Sequence, residues 1–145
     1  MSNKDITTHK FVAILSKKVE SGKVLNALAH MAVGLGANAR PEEREQMGFI
    51  TYIDKDGTRH PNLSKNSFVI LRADNANQIR TVRTQAIEKN ITFVDFSAEM
   101  QDGTYLEQIE RIVQIPEAEL DYCGICLFGE IDTVSELTSK FGLWR

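Results

Sequence analysis

A compact apolar run, "FVAIL" at residues 11–15, is followed after "SKKVE" by an almost wholly apolar stretch, "SGKVLNALAHMAVGLGANA" at 21–39. That order predicts a buried strand feeding a helix, and it recurs three more times. "SFVILRA" (67–73) precedes "NANQIRTVRTQAIEKN" (75–90), "ITFVDF" (91–96) precedes "GTYLEQIERIVQ" (103–114), and "DYCGICLFG" (121–129) precedes "DTVSELTSKFG" (132–142). Strands that alternate with helices call for a sheet covered by helices on both faces. The expected fold is therefore an α/β class, three-layer α/β/α sandwich around a four-stranded sheet. A chain of 145 residues fits one domain, 1–145.

The helical spacing is clearest in the first helix, where Val24, Ala27, Leu28 and Met31 fall at i, i+3, i+4 and i+7. Leu25, Ala29, Ala32 and Val33 widen that stripe, which predicts packing on more than one side. Gly34 and Gly36 are expected to end the helix. "ARPEEREQM" suggests a short helical turn after Pro41. "GFITYIDKDGTRHPNL" carries Asp56-Gly57, a two-residue turn signal, so a small inserted hairpin is expected over 49–61. It is not a calcium loop. With Gly57 in the invariant glycine position, the closing acid would fall at Leu63. Asp132 is the expected cap of the last helix.

Charge is distributed unevenly. Residues 1–95 hold 14 Lys and Arg against 10 Asp and Glu, whereas residues 96–145 hold 3 against 10. A net charge of −3 argues against broad non-specific nucleic-acid binding and leaves room for a local basic patch on the first two-thirds. No apolar run approaches the ~20 residues of a membrane span, and the first residues lack the apolar core of a secretory signal. The expected location is cytoplasmic, with no membrane partner.

Lys23 poses the main chemical question. It stands in the first turn of an apolar helix, where the macrodipole is positive and a cation loses about 0.3–1 kcal/mol. Either the side chain reaches into solvent or something negative joins it. Ligands of α/β sheets gather beyond the carboxyl ends of the strands, and that edge is expected to carry Lys23, Asp74, Asp95 and Ser97. A lysine, two carboxylates and a hydroxyl can bind an anion, polarise a carbonyl or position a water. Against this, edge residues of any sheet are polar and solvated. Lys17 and Lys18 would extend a phosphate site or form a solvated loop. His30, seven residues beyond Lys23, would be a base or a core histidine satisfied by backbone. "CGIC" at 123–126 reads as core strand, its cysteines three apart and on opposite faces, because a reactive Cys-x-x-Cys draws on a helix N-terminus. His9, His30 and His60 are too scattered to make a metal site with it. No metal or cofactor is expected. Trp144 would either close the last helix on the core or offer a patch to a partner chain.

The segment "GKVLNALAHMAVG" resembles the type II peptidyl-tRNA hydrolases, which open with a strand, a Gly-Lys at a helix start, and a small-residue helix carrying a histidine. The order of the later elements fits as well. The first helix, "RHPNLS" and "CLFGEIDTVSELTSKFGLWR" are more similar still to a bacterial domain-of-unknown-function family (DUF 2000) sharing that fold. The resemblance implies a last strand antiparallel to the third, hence a mixed sheet with Glu130 at the opposite edge. It implies Lys23 and Asp95 as retained catalytic residues; with Ser97 from the strand ends they make the expected catalytic set, and Lys17, Lys18, Gly22, His30 and Asp74 are the expected ligand-binding residues. The hydrolases carry Asp-Ala-Gly-x-Thr after strand three, whereas this chain has "DFSAE". Asp95 keeps the acid, but Glu99 stands where the threonine would, placing negative charge beside an anionic substrate. The hairpin has no counterpart there.

Three functions follow as expectations. The first is a protein holding a small anionic ligand or RNA end near Lys23, with the hydrolase motif incomplete. The second is a peptidyl-tRNA hydrolase with a rearranged site, its hydroxyl from Ser97 or Thr104. The third is a non-catalytic homodimeric interaction module. Partners are accordingly a small anion, tRNA or a second copy.

Overall fold

A computed structural model describes residues 6–145. The strand-to-helix order emerges with additions. β1 (His9–Ser16) leads to α1 (Ser21–Asn38) and α2 (Pro41–Met47), then to a hairpin of β2 (Phe49–Ile53) and β3 (Arg59–Ser64). There follow β4 (Phe68–Ala73), α3 (Ala76–Glu88), β5 (Thr92–Ser97), α4 (Tyr105–Ile112), β6 (Tyr122–Glu130), α5 (Ile131–Thr138) and β7 (Gly142–Leu143).

The described strands form a mixed five-stranded sheet, in the order β5-β6-β1-β4-β7, and a separate two-stranded sheet. β1 and β4 are parallel, while β6 runs antiparallel to β1 and β5. β1, β4 and β5 therefore point the same way. The expected count of four strands is corrected by β7, which pairs with Leu71 and Arg72 of β4. The last helix accordingly stops at Thr138 rather than running to 142, and it starts with Glu130 at the cap and Asp132 inside the first turn. Beyond β7 the Trp144 amide donates to the Ile70 carbonyl at 2.9 Å, and its ring packs on the core beneath α1.

β1 is a continuous apolar run because both of its faces are buried, the pattern of a strand inside a covered sheet. Val12 and Ile14 join the core under α3 and α5, with Ile79, Val82, Ala86 and Val134. Phe11, Ala13 and Leu15 join the opposite core, with Val24, Ala27, Met31, Leu35 and Met47 of α1 and α2. Each fully buried Ile or Leu stabilises by about 1.5–3 kcal/mol relative to exposure.

Three local expectations change. α1 runs through Gly34 and Gly36 to Asn38, because burial of Leu35 against the sheet carries the helix past them. It packs on one side only: Leu25 is 59% and Val33 74% exposed. The hairpin turns through five residues, not two. Asp54 accepts from the amides of Asp56 and Thr58, and Gly57 supplies the positive φ of +84° the turn needs. Finally, Cys123 and Cys126 lie in the same core, not on opposite faces. A register shift opposite Phe96 and Ser97 makes Cys123 an extra residue in β6, which turns the alternation by one.

Candidate functional site

The carboxyl ends of β1, β4 and β5 do lie at one end of the sheet, but the expected site residues are divided between its faces. Phe96 belongs to the core beneath α1. Its neighbour Asp95 therefore projects toward α3, since successive strand residues alternate. There the Arg83 guanidinium of α3 donates to Asp95 Oδ2 at 2.7 Å and sits over the Phe93 ring, 5.5 Å from its centroid. Lys23 opens α1 on the other face. Lys23 and Asp95, expected in one catalytic set, are thus on opposite faces, and Asp95 pairs with Arg83.

The same face gathers further matched charges. Arg80 donates to Glu117 at 3.2 Å and to the Leu120 carbonyl, and it covers the Tyr122 ring. The Tyr122 hydroxyl donates to Glu117 at 2.8 Å; burial first, then that bond, drives its pKa well above the ordinary tyrosine value. Ser97 is fully buried, and its hydroxyl has no hydrogen-bond partner. At the surface Lys17 pairs with Asp74 at 2.9 Å, and this bond holds the Asp74 carboxyl below its usual range. The Lys18 amide donates to Ser16 Oγ at 3.3 Å. Lys18 lines a cleft of about 390 Å³ with Asn75, Asn77, Arg80 and Asp121.

On the α1 face Lys23 is exposed. Among the described residues its ammonium has neither an ion pair nor a hydrogen bond. The first intrahelical bond runs from the Val24 amide to the Glu20 carbonyl, so the Ser21, Gly22 and Lys23 amides precede the ladder, as in any helix start. α1 has no side-chain cap and no acid in its first turn. Gln101 donates to the Lys23 carbonyl at 3.3 Å, closing one wall of a cleft of about 230 Å³ lined by Glu20, Gly22, Lys23, Asn26, Gln101 and Asp102. Gly22 is thus part of this cleft. His30 is exposed and stacked on Phe96 at 5.8 Å, 26° between planes, which replaces the backbone-satisfied core histidine. Glu99 accepts from the Asp121 amide at 3.1 Å, so this carboxylate binds a loop. Thr104 caps α4 in a reciprocal box with Glu107. The thiols are inert as nucleophiles: burial pushes Cys123 up to about 11 and Cys126 up to about 12.

Sequence reasoning missed a further polar cleft, at the other end of the sheet. About 290 Å³ in volume, it is lined by His9, Arg40, Glu43, Lys89, Thr92 and Glu130, among others. Its centre is Glu43, with a side chain only 7% exposed. Glu43 accepts from the Arg40 amide and guanidinium at 3.1 and 2.9 Å and from the Thr92 hydroxyl. Burial raises its pKa, but these donors outweigh that and leave it lowered. The sequence signal was the acid three residues after the cap of a short helix beginning at proline. For Arg83 it was the four-residue step from Ile79, which aims it at the sheet. Among the described residues no three His, Cys, Asp or Glu side chains gather to hold a metal, and no helix is long and apolar enough to cross a membrane.

The model of a family described as "Protein of unknown function (DUF2000)" matches residues 9–145. No curated protein matches. Among solved structures, the protein of unknown function Atu0240 from Agrobacterium tumefaciens strain C58 is similar over 97% of this chain and 100% of its own. Its TM-score is 0.79 at 19% identity, which is a likeness of fold.

Proposed function

We propose that this chain, which belongs to the DUF2000 family, binds a small anion or the phosphorylated end of an RNA at the start of α1. The observation that carries the reading is Lys23. It is a cation placed where the helix dipole disfavours one, without a carboxylate partner among the described residues, beside amides that have no cap. A phosphate there would meet backbone donors and a full positive charge together. The resemblance of "GKVLNALAHMAVG" to the peptidyl-tRNA hydrolases supports an RNA end as the source of that anion.

Hydrolysis by Lys23, Asp95 and Ser97 acting together is not what the geometry favours. Asp95 is engaged by Arg83 on the far side of the sheet, and the Ser97 hydroxyl is buried. The test is calorimetric titration of inorganic phosphate and of a 5′-phosphorylated oligoribonucleotide into the wild type and Lys23→Ala. Binding that weakens by about tenfold or more in Lys23→Ala, and falls as salt is raised, is the expected result. Equal binding by both proteins overturns the site. Single-turnover cleavage of an N-acetylated aminoacyl-tRNA, lost in Lys23→Ala and Asp95→Asn alike, would overturn the non-catalytic part.

A further inference from the structure

The outward face of α1 is uncharged over most of its length. From Val24 to Asn38 it holds no Asp, Glu, Lys or Arg, yet Leu25 and Val33 stand mostly in solvent. Leu25, Ala29 and Val33 are four residues apart and so share one ridge. Gly22 and Gly36 flank Ala29 at seven residues on either side, on nearly the same line. Gly36 is unexplained by the chain's own packing: a Cβ added there would meet nothing within 4 Å, although glycine is among the poorest helix formers.

We propose that two copies of this chain associate through α1, antiparallel, about a two-fold axis at Ala29. The register is self-complementary. Residues equally spaced from Ala29 face one another, so Leu25 meets Val33 of the second copy and Gly22 meets Gly36. The missing side chains let the helices approach closely.

Charge decides for this occupant over an unrelated apolar partner. Arg44 is held at the C-terminal turn of α1 by donating to the Gly36 carbonyl at 3.0 Å. Glu20 and Asp102 stand at the N-terminal turn. None of the three makes an ion pair among the described residues. The two-fold brings Arg44 of the second copy to Glu20 and Asp102, at both ends of the seam. Those carboxylates line the cleft of Lys23, so association also removes the negative charge that would oppose an anion there. The interface itself does not depend on anion binding and is tested without it.

The experiment is sedimentation equilibrium of the full chain from about 5 to 500 μM, which covers the weak affinities of a small interface. A monomer–dimer equilibrium is expected. Val33→Glu should shift it to monomer. So should Gly36→Leu, with helicity and thermal midpoint maintained because the monomer has room. Arg44→Glu and Glu20→Arg should each weaken the dimer about tenfold or more, and the double variant should recover it. A wild type that stays monomeric throughout overturns the proposal. So does a dimer that survives both Val33→Glu and Gly36→Leu, or a charge swap that restores nothing.

Discussion

Two sites on opposite faces of the sheet treat cations in opposite ways. Beneath α3, Arg80 and Arg83 are each met by a carboxylate and an aromatic ring. Above, at the start of α1, Lys23 meets neither. A guanidinium that is three-quarters covered must be neutralised, since an unpaired buried charge is costly, whereas an exposed ammonium can wait for a ligand at little expense. Charge matching therefore marks where the fold has spent its ionic groups on itself. Lys23 is a cation that it has not spent in this way.

The comparison breaks most easily at Asp95. Asp95→Ala strands the Arg83 guanidinium and should lower unfolding free energy by about 2–3 kcal/mol in urea titrations; a loss under 0.5 would make the α3 face no different from the α1 face. Glu43 sharpens it with pH. Its folded pKa is depressed, so its contribution is present above the unfolded value and is lost as pH falls through the folded one. The stability gap between wild type and Glu43→Gln should be about 1 kcal/mol at pH 7 and close on acidification below roughly pH 4. Equal gaps at pH 7 and pH 3, by thermal melts, would assign the effect to shape rather than charge. Lys17→Ala removes an exposed pair with Asp74 and should cost about 0–0.5 kcal/mol. Lys23→Ala should change stability by less than about 0.5 kcal/mol in either direction. A large loss there would mean that Lys23 has a structural partner after all.

How much of this was legible depended on whether the cause was local. The strands announced themselves because a strand buried on both faces must be apolar throughout, as "FVAIL" is. The side of Asp95 was readable too, from the parity of Phe96, but only once Phe96 could be assigned to a core. The bulge at Cys123 was not readable, because it exists only in the pairing of β6 with β5, about 25 residues away in sequence. α1 misled for a related reason. Leu25 and Val33 look like core residues by type, and nothing in one chain's pattern tells an apolar face packed on a sheet from one left to solvent. β7 is two residues long, too short to carry any periodicity.

The position of β6 also bears on how the chain reaches this state during synthesis. β1 and β5 are neighbours of β6 on either side, yet β6 is the last of the long strands to be made. Until residues 122–130 leave the ribosome, β1 and β4 can pair while β5 has no strand to join. A chain in which β6 has not yet paired leaves open edges on β1 and β5, the kind that invite intermolecular pairing. β6 is thus the strand on which the union of β5 with the β1–β4 pair depends.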